Sequence, residues 1–160
     1  GVSNFSSPNY EKTDSLCHDM ITSNALMTLL DFNKFYSADV LELHEEMLDP
    51  DGIIQGIKNR VSYTLAVEIE LTVKSKKRLS NKWKKYAESS LVDYALYITN
   101  KASLFEIYKR FLSEFNDEVQ DKIILCLDKT LKEEHFDYVS SKIWFKDQER
   151  SFLSLFGGEK

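Results

Sequence analysis

The chain has 160 residues and is 42% hydrophobic and 12% aromatic, with only 5 Gly and 2 Pro, which excludes a disordered or low-complexity protein and suits one domain with a real core. A net charge of −5 excludes a surface that attracts polyanions everywhere. No apolar run approaches the roughly 18 residues of a membrane span, so we expect no membrane partner. Cys17 and Cys126 form neither a CxxC pair nor a dense disulfide framework, so we expect a cytoplasmic protein with reduced thiols.

The N-terminal part of the chain predicts an arm and a helix. Residues 1–12 are rich in Ser and Asn and predict a flexible arm, so that residues 13–160 would form a single α/β domain. A helix is predicted from Thr13 or the next residue to within 31–34, and residues 36–43 are a weaker strand candidate. The apolar stripe of this helix is expected to comprise Leu16, Met20, Leu26, Leu29 and Leu30.

A hairpin follows, and its second strand carries two acids. Residues 51–57 read as a strand, and residues 58–60 as the turn into a long strand over 61–71. In that strand apolar and polar residues alternate with period two, which is typical of a strand with one face on a core. Glu68 and Glu70 therefore project from the same face, roughly 7 Å apart. Because two neighbouring acids repel each other, a divalent metal between them is the obvious candidate.

The remaining elements alternate between helix and strand. We expect a basic helix over 74–89, a strand over 91–99, a helix over 102–115 and a buried strand over 122–127. The pattern from residue 131 onward is ambiguous, although its aromatic residues must pack somewhere. A hairpin followed by alternating helices and strands predicts an α/β fold with a mixed central sheet flanked by helices.

Charge is distributed unevenly along the chain. Between Leu71 and Tyr86 there are seven basic residues and no acid, whereas residues 114–137 are rich in Asp and Glu. A local basic run, and not the net charge, decides whether nucleic acid can dock. The seven basic residues are Lys74, Lys76, Lys77, Arg78, Lys82, Lys84 and Lys85.

These motifs together resemble a known group of enzymes. A Pro50-Asp51 pair, a hairpin's length, a Glu68-x-Glu70 strand and a basic helix resemble the PD-(D/E)XK nuclease superfamily. The run AVEIELTVKSKKRL, with KYAES and DYALYIT after it, resembles plasmid replication-relaxation proteins more closely. The resemblance covers about residues 16–100 and is specific over 68–77.

The resemblance implies a restriction-endonuclease-like core and a Mg²⁺- or Mn²⁺-dependent endonuclease or nickase that acts on DNA in plasmid or mobile-element processing. It also implies an upstream winged-helix domain or replication and mobilisation proteins as partners. A homodimer is a further expectation, since nuclease domains that cut both strands often dimerise.

By the same resemblance, Asp51 and Glu68 would bind the metal. Glu70 occupies the usual lysine position and would bind metal or orient the attacking water. Lys74 or Lys76 would reach back to supply the missing cation, and His18 would line the site. The residues expected to contact DNA phosphates are Lys76, Lys77, Arg78, Lys82, Lys84 and Lys85.

Each feature also has a simpler explanation. Residues 49–52 read as an ordinary turn signal, and the two glutamates would face water if their side of the sheet were exposed. A histidine on an apolar helix is more often a packed polar residue than a ligand, and the basic run is usually a solvated face. Trp83 and Tyr86 are expected in the core.

Two other functions therefore stay open. The first is a nuclease-fold module that no longer cuts and serves in DNA binding or assembly, which Glu70 in the lysine position and the negative net charge favour. The second is a protein–protein adaptor that uses the aromatic tail, whose members are Trp144, Phe145, Phe152 and Phe156.

Overall fold

The computed structural model describes residues 9–40 and 48–158 and has an α/β architecture. In this part of the chain seven strands form one mixed sheet in the order β1-β2-β3-β4-β5-β6-β7. The elements are α1 (Asn9–Leu30), β1 (Phe35–Asp39), β2 (Gly52–Lys58), β3 (Val61–Ile69), α2 (Lys76–Glu88), β4 (Tyr94–Thr99), α3 (Ala102–Leu112), α4 (Asp117–Gln120), β5 (Ile123–Leu127), β6 (Lys142–Phe145), β7 (Gln148–Ser151) and α5 (Phe152–Phe156). None of the helices described is both long enough and apolar enough to cross a membrane.

The predicted α/β class is confirmed. Strands β1, β2 and β3 pair antiparallel, β4 pairs parallel to β3, and β5 pairs parallel to β4. The last two strands return antiparallel and extend the sheet at its far edge. A parallel connection needs a crossover, and helices α2 and α3 supply the crossovers before β4 and β5.

The predicted hairpin is also confirmed, with two corrections: β3 ends at Ile69 and not at residue 71, and Lys58 belongs to β2, so the turn is 59–60 and not 58–60. Its register runs from Gly52 opposite Val67 to Lys58 opposite Val61. The two turn residues, Asn59 and Arg60, have φ of 50° and 66°. Positive φ at both central positions is the backbone geometry of a tight two-residue hairpin, although neither residue is glycine.

The N-terminal predictions need two corrections. The helix begins at Asn9, so residues 9–12 belong to α1 and not to the expected arm, while residues 1–8 lie outside the described residues. The strand candidate at 36–43 corresponds to β1, and its last three positions also lie outside the described residues.

The predicted stripe of α1 is partly wrong. Leu16 and Met20 are 60% and 45% exposed, and the face turned to the sheet includes Ile21, Ala25 and Leu29. The helix carries apolar residues on both sides, so periodicity alone does not select the buried one. The small side chain of Ala25 allows close approach of the helix to the sheet.

Two cores cover the two faces of the sheet. Leu65, Val67 and Ile69 of β3 point into the core beneath α1 and α5, whereas Ala66 points into the core beneath α2 and α3. Trp83 and Tyr86 are fully buried in the second core, as expected. Alternate residues of one strand thus enter opposite cores, which is the consequence of period-two alternation.

The aromatic tail packs within the chain. Phe145, Phe152 and Phe156 are buried and Trp144 is partly buried. Phe152 makes close ring contacts with Phe32, Phe35 and other aromatic residues. The exposed apolar patch that motivated the adaptor hypothesis is therefore absent from these four residues.

Gly52 is required by packing and not by a turn. A Cβ at this position would lie 2.6 Å and 2.7 Å from the two Cδ atoms of Leu26, which is itself buried. We expect Gly52→Ala to lower the free energy of unfolding by about 1–2 kcal/mol through overpacking. Urea denaturation, with the exposed Ser62→Ala as control, measures the loss. An unchanged denaturation midpoint would contradict this role.

Candidate functional site

The candidate site lies where β2 begins and β3 ends. Asp51 directly precedes Gly52, and the hairpin register continues by one step to bring Asp51 opposite Glu68. The Asp51 Oδ2 atom accepts a hydrogen bond of 2.7 Å from the Ile69 backbone N–H. Asp51 therefore closes the end of the hairpin, and its carboxylate lies beside the glutamates.

His18 comes to the same place from α1. Its Nε2 atom lies 3.1 Å from the Ile69 carbonyl oxygen, to which it donates, and 3.6 Å from Asp51 Oδ2. The half-buried imidazole therefore lies beside the Asp51 carboxylate. That His18 lines a functional site stays a prediction.

Glu68 is buried in a polar cluster. It is 3% exposed, and its Oε1 atom lies 2.6 Å from Lys82 Nζ and accepts a hydrogen bond from the Tyr86 hydroxyl. Burial raises the pKa of Glu68 to about 7, while Lys82 and Tyr86 act to lower it and the Asp51 charge raises it further. The removal of water from this carboxylate thus outweighs the lysine beside it.

Glu70 extends the site past the end of β3. Its backbone N–H donates to the Ile98 carbonyl at 2.8 Å, which keeps the chain alongside β4. Its Oε2 atom accepts a 3.3 Å hydrogen bond from the Tyr108 hydroxyl. Burial raises the pKa of Glu70, and Lys74 and Lys82 lower it. Both glutamates are buried, so the explanation that they face water is wrong.

Two unpaired polar groups lie in the core next to these acids. The indole N–H of Trp83 and the hydroxyl of Tyr97 are buried, and neither reaches a hydrogen-bond partner of good geometry. Burial, and then the Glu68 charge, raises the pKa of Tyr97 far above its ordinary value. Trp83 lies next to the Tyr97 hydroxyl and acts to lower that pKa.

The basic segment divides into two sides of α2. Lys77, Arg78, Lys82 and Lys85 line an open groove of about 370 Å³ together with Asn81 and Asp49. Lys76 does not line this groove. It forms an ion pair with Glu114, and its Nζ atom lies 5.3 Å from the centre of the Phe111 ring. Lys84 shares its surface with Glu88, Glu114 and Glu118.

The lysines therefore pair with other acids than the sequence analysis predicts. Lys74 lies close enough to Glu70 to lower its pKa, whereas Lys76 pairs with Glu114 and does not contact the acids. Lys82, expected only on the DNA-binding face, contacts Glu68 directly. Sequence analysis missed this contact and the hydroxyl donors Tyr86 and Tyr108. The i, i+4 spacing of Lys82 and Tyr86 is the signal that places both side chains on one face of α2.

The carboxylates at this place suit a Mg²⁺ site with few protein ligands. Among residues 9–40 and 48–158, no three His, Cys, Asp or Glu side chains converge on one point as a metal cage requires. Mg²⁺ is commonly held by one or two carboxylates, with water and substrate phosphate in the remaining positions. Asp51, directly before β2, and Glu68, near the end of β3, are two carboxylates that suit that smaller requirement.

Comparisons with protein-family models, curated proteins and solved structures gave no match to the chain. What the site does is therefore inferred from its own residues and their geometry.

Proposed function

We propose that the chain is a metal-dependent DNA endonuclease or nickase of the PD-(D/E)XK type, with a restriction-endonuclease-like core. The observation that carries the proposal is the position of Asp51 opposite Glu68 across the hairpin, with Glu70 beside them and the basic helix α2 directly after. The plasmid or mobile-element context, a homodimer, and partner replication or winged-helix proteins stay predictions from the sequence resemblance.

The order of the elements supports this proposal. A Pro-Asp pair directly precedes β2, the hairpin returns through β3 to the Glu-x-Glu sequence, and a helix with basic residues leads to a parallel strand. The resemblance implies this order of hairpin, basic helix and parallel strand, which supports the proposal. The hairpin register brings Asp51 and Glu68 to the same end of the sheet.

The proposed chemistry is hydrolysis of a phosphodiester bond. When bound, a divalent cation would activate water and relieve the charge that develops on the phosphate. Asp51 and Glu68 would hold that cation, and Glu70 would orient the attacking water. The Tyr86 and Tyr108 hydroxyls fix one oxygen of Glu68 and one of Glu70, which positions both carboxylates.

Lys82 is the residue best placed to supply the cation that the strand lacks at position 70. Its ammonium group lies 2.6 Å from Glu68 Oε1 and donates to the Asp49 carbonyl oxygen at 3.1 Å. Fixed positive charge beside the reacting phosphate stabilises the transition state. Lys74, close to Glu70, is the second such cation.

We expect Lys82→Met to lower the rate of metal-dependent plasmid nicking by about 10²-fold, in the range that removal of one stabilising group from a site costs. Lys84→Met is the matched control, because Lys84 lies on the same helix but on the side away from Glu68. Initial rates at saturating Mg²⁺ make the comparison, with circular dichroism to verify folding. Equal nicking rates for the two variants would show that Lys82 does not contribute to cleavage.

A non-cutting nuclease-fold module is the second candidate function. The Lys82 ammonium already provides Glu68 with a positive partner, and an acid occupies the lysine position of the strand motif. DNA binding that depends on salt but not on chelator, with no cleavage in Mg²⁺ or Mn²⁺, would favour this module over the nuclease.

A further inference from the structure

One side of α2 forms a basic groove that reaches the acid site. Its cations are Lys77, Arg78, Lys82 and Lys85, and among the described residues that line it Asp49 is the single acid. Lys77, Arg78 and Lys85 are exposed, and no ion pair with a described residue holds them. From Lys77 to Lys85 the helix extends about 12 Å, which is room for more than one phosphate.

The start of α2 adds to the positive charge of the groove. The first turn of α2 contains no acid, and Ser75 caps it by accepting the Arg78 backbone N–H at 3.2 Å. The partial positive charge of a helix N-terminus then adds to the field of Lys77 and Arg78. The two basic residues of α2 that do not line the groove lack this character: Lys76 pairs with Glu114, and Lys84 lies beside Glu88, Glu114 and Glu118.

Lys82 joins the groove to the acids. It lines the groove, with a side chain 29% exposed, and its ammonium contacts Glu68, which is almost fully buried. A ligand in the groove therefore meets a residue that also touches the proposed reaction centre.

We infer that this groove binds the phosphodiester backbone of a DNA strand and brings the strand to the acid site past Lys82. The inference rests on the proposed function and deepens it. It assigns backbone contacts to one side of α2 and withdraws them from Lys76 and Lys84. The contacts are to phosphates, so affinity depends on salt and not on base sequence.

The experiment compares two double variants made of neighbouring residues. Lys77→Gln/Lys85→Gln removes two charges from the groove, and Lys76→Gln/Lys84→Gln removes two charges of the same helix that do not line the groove and that lie beside acids. Fluorescence anisotropy in EDTA measures the binding of a labelled DNA oligonucleotide, as a single strand and as a duplex, across a series of salt concentrations. Chelator prevents cleavage, so the measurement does not depend on nuclease activity.

The groove variant is expected to bind roughly tenfold or more weakly at low salt. The slope of log affinity against log salt should fall by about 1.4 for a single strand, as expected for two lost phosphate contacts. The control variant should keep the wild-type affinity and slope. Equal losses in the two variants, or no loss in the groove variant, would overturn the inference.

The outcome is separable from that of the proposed function. Metal-dependent nicking without a specific loss in the groove variant would refute the groove and leave the nuclease intact. Groove-specific binding without any cleavage would support the groove and favour the non-cutting module.

Discussion

Replacing Glu68 by glutamine is expected to make the protein more stable at neutral and alkaline pH. Glutamine keeps an oxygen that accepts from Lys82 and Tyr86 but carries no charge, so it resembles the protonated form of Glu68. Burial raises the pKa of this carboxyl from an ordinary 4.5 to about 7. The wild-type protein therefore loses free energy on ionising a group that the variant does not ionise.

The sign and the pH range follow from that raised pKa. A carboxyl with a higher pKa in the folded state than in the unfolded state contributes its full stability below pH 4.5 and loses it as pH rises through 7. At about 1.4 kcal/mol for each pH unit, the loss reaches about 3 kcal/mol. The free energy of unfolding of Glu68→Gln minus that of the wild type should therefore increase by about 3 kcal/mol between pH 4.5 and pH 7.5.

Urea denaturation at a series of pH values measures this difference, and the exposed Glu106→Gln controls for loss of a carboxylate elsewhere. The same denaturation experiment with added Mg²⁺ is a second test. A ligand that binds only the folded state raises its stability, so Mg²⁺ should stabilise the wild type and not Glu68→Gln. A stability difference that does not change with pH would show that Glu68 does not carry a buried charge.

Asp51→Asn is expected to lower metal-dependent DNA cleavage by roughly a hundredfold or more, because a metal ligand contributes several kcal/mol to transition-state stabilisation. Asparagine retains an oxygen that accepts the Ile69 N–H, so the end of the hairpin stays closed. The change therefore removes charge at the site while keeping the local structure.

Asp93→Asn is the matched control for this substitution. Asp93 also accepts a backbone hydrogen bond of 2.7 Å, from Thr64, and it precedes a strand at the other end of the sheet. The two variants lose the same charge and keep the same kind of backbone contact. If both cut plasmid at the same rate, Asp51 is a structural aspartate and not a metal ligand.

Part of the arrangement of the acids was predictable from sequence, because period-two alternation places Glu68 and Glu70 on one face. The register was not predictable in this way: the sequence analysis expected the turn at 58–60, whereas the observed two-residue turn at 59–60 brings Asp51 opposite Glu68. The same alternation with a crossover helix predicted the parallel strand β4. These predicted features each need information from only a few neighbouring residues.

The polar partners of the acids were not predictable in this way. Tyr108 lies on α3, 38 residues after Glu70, and its hydroxyl reaches the carboxylate only through the packing of α3 on the sheet. Which lysine contacts the glutamates also depends on tertiary packing. Lys76 lies nearer to the glutamates in sequence than Lys82, but the rotation of α2 turns it towards Glu114. The buried side of α1 was uncertain because both sides are apolar.

The most direct test of a nuclease site is the incubation of supercoiled plasmid with the purified protein in Mg²⁺, in Mn²⁺ and in EDTA, beside Glu68→Ala and Glu68→Gln. We predict conversion to the nicked or linear form in either metal, none in EDTA, and none with either Glu68 variant, although Glu68→Gln is folded. Plasmid that stays supercoiled in both metals, or cleavage that persists equally in the Glu68 variants, would contradict a metal-dependent nuclease centred on Asp51 and Glu68.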